Sequence, residues 1–150
     1  MKKIKFLHGL LIVLLTLFTI SFFAELYNFK TFEGEYLYSH FIINMSISLI
    51  IIIGLFFKQR ALYSIIRKGF FNSTIHANFK KAGLFFLIAG FGGVVFDVVM
   101  ISKISDRIVE LLYSNLGKDF LLIMVGFSLF ILADIIQNGS NLKLENDLTI

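Results

Sequence analysis

The chain has 150 residues, enough for one domain, with 57% hydrophobic residues and a net charge of +4. It has no Cys and no Pro, which excludes disulfides, thiol redox chemistry, thiolate metal sites and proline kinks. A mean hydropathy of +0.85, gathered into long apolar runs, excludes a water-soluble domain and makes the bilayer the solvent.

Four apolar segments follow in order: 6–24, 41–57, 82–101 and 120–136. Each matches the roughly 17–25 residues needed to cross a hydrocarbon core of about 30 Å. Backbone N–H and C=O groups cannot stay unpaired in hydrocarbon, so the segments are expected to be helices. The expected fold is an all-α, polytopic four-transmembrane-helix bundle in a single domain.

The first segment follows Lys2, Lys3 and Lys5, as a signal peptide would. Its exit, Ile20 to Glu25, lacks the small-residue cleavage pattern, so a permanent helix is expected. Residues 25–40 have no readable pattern. After the second segment, 61–68 can extend the helix until Gly69 stops it, and Asn72, Ser73 or Thr74 can cap the next one. A helical hairpin over 58–81 results. Loop 102–119 reads as a short surface helix, capped by Ser102 or Ser105 and stopped by Gly117. Its apolar face would be Ile104, Ile108, Leu111 and Leu112.

Lys and Arg set the orientation. The N-terminal tail, hairpin and C-terminal tail carry ten, including Arg60, Arg67, Lys68, Lys80 and Lys81. The opposite loops carry four: Lys30, Lys103, Arg107 and Lys118. The positive-inside rule then places both termini and the hairpin in the cytoplasm. Tyr27, Tyr36, Tyr38 and Tyr113 fall on the outer side, where an aromatic belt belongs.

Two carboxylates lie within the segments, Asp97 and Asp134. Holding a charge in the membrane costs several kcal/mol, so each is a candidate for function. They fall at opposite depths and are not expected to pair. Ala89, Gly93 and Asp97 share one helix face by their spacing of four, which points Asp97 into the bundle. Asn44 and Ser48 reach a similar depth, and Thr16 and Thr19 can complete a polar cluster. That cluster serves either as a binding or protonation site or as interhelical hydrogen bonding. Asp134 is expected to reach the inner headgroup region and meet Lys58 or Arg60, as an interfacial ion pair or a helix-end anchor. The basic hairpin residues can contact anionic lipid or a protein surface, besides setting topology. His8, His40 and His76 lie in separate segments without metal-ligand spacing, and Gly90, Gly92 and Gly93 mark helix packing or local bending. No nucleophile–base constellation appears, so no enzyme activity, cofactor or metal is expected.

The run 132–136, followed by Gly139, Leu142 and the terminal Glu145-Asn146-Asp147-Leu148-Thr149-Ile150, is the most distinctive feature. It resembles the end of a bacterial four-span membrane family, domain-of-unknown-function family 2975. Gly69, Phe71, Gly117, Phe120 and Gly126 look similar to that family's recurring positions. Asp134 stands where Glu is common in the family. Such proteins are often encoded beside a small helix-turn-helix regulator, so the resemblance implies the bacterial plasma membrane and a role in membrane-linked regulation, without supplying a substrate.

The leading expectation is a regulatory or sensory membrane protein, contacting a cytoplasmic partner through the hairpin and a tail that includes Glu145 and Asp147. No direct nucleic-acid binding is expected. The alternatives are a small transporter using Asp97, working as a homo-oligomer, and immunity against a membrane-active peptide.

Overall fold

A computed structural model describes residues 2–27, 35–70, 72–101 and 109–148. It contains four α-helices: α1 (Lys2–Tyr27), α2 (Glu35–Lys68), α3 (Ser73–Ile101) and α4 (Val109–Leu148). Stretches long and apolar enough to cross a membrane occupy Lys2–Tyr27, His40–Lys68, Ser73–Ile101 and Asn115–Asn146. The all-α, four-span architecture expected from hydropathy is the one found.

Neighbouring helices run antiparallel and pack in chain order, α1 on α2, α2 on α3 and α3 on α4. Among the described residues, the backbones of α1 and α4 do not approach one another. His8 meets Tyr63 at a ring separation of 5.8 Å, which fixes the start of α1 beside the end of α2. His40 meets Phe96 at 5.7 Å, which places the start of α2 beside the end of α3. Phe57 stacks on Phe85 at 5.6 Å midway along the α2–α3 seam.

The α2–α3 connection forms as local chemistry requires. Gly69 takes φ +81°, a left-handed conformation that costs an L side chain roughly 1–2 kcal/mol. From there its N–H donates to the Ile65 carbonyl at 3.0 Å and closes α2. Asn72 opens α3, its side-chain oxygen accepting from the Thr74 N–H at 2.9 Å. Beneath this hairpin lies the buried apolar core, in which Ala61, Leu62 and Ile65 of α2 meet Ile75, Phe79 and Ala82 of α3. Leu129, Ala133 and Ile136 of α4 complete it.

Small residues bring α3 and α4 together. A Cβ on Gly83 would lie 2.9 Å from the Gly126 carbonyl oxygen, so these two backbones touch. Close approach of this kind replaces the hydrophobic effect, which is absent between helices already in an apolar solvent.

Two expectations need correction. No separate surface helix ends at Gly117; the residue lies inside α4, which runs unbroken from Val109 to Leu148. One helical Gly costs about 1 kcal/mol relative to Ala, too little to interrupt a ladder that must continue into an apolar span. Asp134 is exposed on α4 and pairs with neither Lys58 nor Arg60. The reason is packing order, since α3 stands between α4 and α2. Residues 137–148, including Gly139, extend α4, whose 40 residues span about 60 Å against a core of about 30 Å. The positions Lys30, Phe71, Ser102, Lys103, Ile104, Ser105, Arg107, Ile108, Thr149 and Ile150 lie outside the described residues, as do the side chains of Tyr36, Leu111, Leu112, Tyr113 and Asp147.

Candidate functional site

The site begins with two missing side chains on α3. At Gly90, a Cβ would lie 2.7 Å from the Asp119 carbonyl oxygen and 2.6 Å from the Ile123 side chain. Because Gly90 leaves that space empty, the first membrane turn of α4 presses onto α3. One turn further along, the Asp119 carboxyl occupies the place where a Gly93 Cβ would project. Asp97 stands one helical turn beyond Gly93 on the same face. Asp97 and Asp119 thereby lie side by side in the α3–α4 seam.

Both carboxyls are withdrawn from solvent, Asp97 at 4% exposure and Asp119 at 6%. An ionised carboxylate only accepts hydrogen bonds, so a bond between two carboxyls needs a proton on one of them. A pair that shares such a bond carries at most one negative charge; Asp97 Oδ2 is buried with no hydrogen-bond partner. His40 and Lys118 line the same cavity as Asp97.

Beside the pair is a cavity of about 760 Å³, to which all four helices contribute. From α2 come His40, Asn44 and Ser48, spaced by four along one face, with the Asn44 amide 3.0 Å from His40 Nδ1. From α1 come Phe18 and Glu25, and from α4 Asn115, Lys118, Asp119 and three apolar residues, Leu121, Leu122 and Val125. Phe41, Ile47 and Ile51 complete the apolar wall. The volume falls within the range of small-molecule pockets, as does the combination of apolar walls with a few convergent polar groups.

The structure brings together Asp97, Gly93, Asn44 and Ser48 as cavity-lining residues. Thr16 and Thr19 do not join them. Their hydroxyls donate to the carbonyls of Ile12 and Leu15 one turn back, at 2.9 and 2.8 Å, which satisfies them inside α1. Arg60, Arg67, Lys68, Lys80 and Lys81 are exposed around the hairpin, far along the bundle from the cavity. Two of them lie over rings: Arg67 over Tyr63 at 5.0 Å and Lys81 over Phe57 at 5.4 Å. Glu145 is exposed near the end of α4.

Sequence reading missed Asp119, His40, Lys118, Asn115 and Glu25. Asp119 precedes the fourth apolar segment by one residue and so counted as loop. The signal was nevertheless present. Asp97 is four residues from the end of the third segment, and antiparallel packing brings that depth to the start of the fourth.

Four apolar helices, stacked antiparallel and hydrogen-bonded internally, define a multi-pass α-helical membrane protein. No family model matches the chain, and no significant match is found among curated proteins or solved structures.

Proposed function

We propose that this is a non-enzymatic regulatory or sensory protein of the plasma membrane, with its cavity facing outward and both termini in the cytoplasm. The cavity is its receiving site. The basic hairpin and the extended end of α4 are its cytoplasmic output, contacting a partner protein. The observation that carries this reading is the cavity, with a buried carboxyl pair in its wall and a packed apolar core beyond it toward the hairpin. A packed apolar core between the cavity and the hairpin suits recognition rather than permeation, which weighs against the transport alternative. The resemblance to family 2975 supports the same class of role, regulation from the membrane. Orientation rests on the Lys and Arg asymmetry.

The test is crosslinking in intact cells followed by capture from membranes. Full-length protein should recover a cytoplasmic partner that a chain lacking 145–150 does not. Replacing Asp97 and Asp119 together by Asn should change the yield of that partner. Identical recovery from all three chains would remove the reading.

A further inference from the structure

We infer that the cavity accepts a lipophilic ammonium ion, with its charged group against the Asp97–Asp119 pair and its apolar body along Phe18, Ile51 and Val125. This deepens the sensory reading and rests on it, by naming the class of molecule received. Three observations carry it. The first is charge balance. Among the described residues the lining holds the carboxyls of Asp97, Asp119 and Glu25 against one cation, Lys118, with His40 the remaining titratable group. Those groups come from α1, α2, α3 and α4, so each helix contributes at least one to the described lining.

The second observation is an unmet acceptor. Asp97 lines the cavity, is 96% buried on its 4% exposure, and its Oδ2 receives no hydrogen bond. A buried acceptor without a donor is costly, and an ammonium N–H supplies both the donor and the compensating charge. The third is the apolar remainder of the wall, whose side chains from α1, α2 and α4 suit a hydrocarbon or aromatic body. Among the described residues the backbones of α1 and α4 do not approach, so on that side the cavity is bounded by side chains such as Phe18 and Leu121.

The experiment uses the full chain in nanodiscs, with 1-naphthylmethylammonium as probe and equilibrium dialysis against empty nanodiscs as readout. Neutral 1-naphthalenemethanol and anionic 1-naphthoate keep the ring and change the charge. Saturable binding of the ammonium is expected, tighter than the alcohol by about tenfold, as one charge-assisted hydrogen bond requires. The double variant D97N/D119N should lose about the same factor, and Ser128→Ala, outside the cavity, should lose nothing. Val125→Phe fills the apolar wall without touching the carboxyls and should also abolish binding, which keeps the test decisive if the double variant unfolds.

The inference is overturned by an alcohol or naphthoate that binds as tightly as the ammonium, or by the absence of saturable ammonium binding. It is equally overturned by a folded D97N/D119N chain that retains full affinity. These failures are separable from failure of the sensory reading, which is judged on partner recovery alone. A cavity that selects no ammonium, yet changes partner yield when Val125→Phe fills it, loses the ligand class and keeps the role.

Discussion

The carboxyl of Asp119 on α4 occupies the space that a Cβ on Gly93 of α3 would fill. The absent side chain and the buried acid are parts of one arrangement. Gly93→Ala must therefore displace the carboxyl from its place beside Asp97, at a cost of about 1–3 kcal/mol for overpacking. Gly92, one residue earlier, has nothing within 4 Å of its Cβ position, so Gly92→Ala should cost nothing. Unfolding of both variants in detergent compares them directly. Equal stability would mean that α3 and α4 do not approach as described.

The hairpin gives a second test, remote from the cavity. Gly69 is left-handed with open space around it, so Gly69→Ala pays only the backbone conformation, about 1–2 kcal/mol. Gly69→Asn should recover much of that loss, because Asn tolerates this conformation better than other residues. Denaturant midpoints of the three chains decide it. An Ala variant as stable as wild type would contradict the cap.

Asn72→Ala removes the acceptor for the Thr74 N–H and should cost about 1 kcal/mol. Asn72→Ser should be milder, since Ser is also a favoured cap. Hydrogen exchange at the first turn of α3 is the sensitive readout, with faster exchange expected in the Ala variant alone.

Topology is testable because the chain has no Cys. Single cysteines replacing Tyr27, at 87% exposure, and Phe70, at 51%, report opposite ends of the bundle. An impermeant thiol reagent should label position 27 in intact cells and position 70 only after permeabilisation. The reverse pattern would put the cavity on the cytoplasmic side.

Much of this fold was legible because hydrocarbon leaves the backbone few choices. Four apolar runs gave four helices, and Gly69 and Asn72 punctuated them through preferences that need no tertiary context. Gly117 misled for the complementary reason: a weak local preference yields to a hydrogen-bond ladder that must continue into the membrane. The candidate site was half legible. Asp97, Gly93, Asn44 and Ser48 were visible from spacing and depth alone. Asp119 was not, because its partner is fixed by the α3–α4 register, which Gly90 and Gly126 set through contacts between distant segments. The supposed pairing of Asp134 with the hairpin failed on the same level, since packing order is not written in a single helix.

The most direct test of the account is a double-mutant cycle across the carboxyl pair. Asp97→Asn should be tolerated, because the amide keeps an acceptor and supplies its own donor. Asp97→Leu strands Asp119, and Asp119→Leu strands Asp97, each costing on the order of 0.6–2 kcal/mol in a membrane bundle. With both replaced, no buried carboxyl remains unpaired, so the double variant should lose clearly less than the sum of the singles. Unfolding free energies of wild type, both Leu variants and the double, measured in one detergent, complete the cycle. The account predicts non-additivity on the order of 0.6–2 kcal/mol; strictly additive losses would mean that Asp97 and Asp119 do not meet, and the cavity would lose its acidic wall.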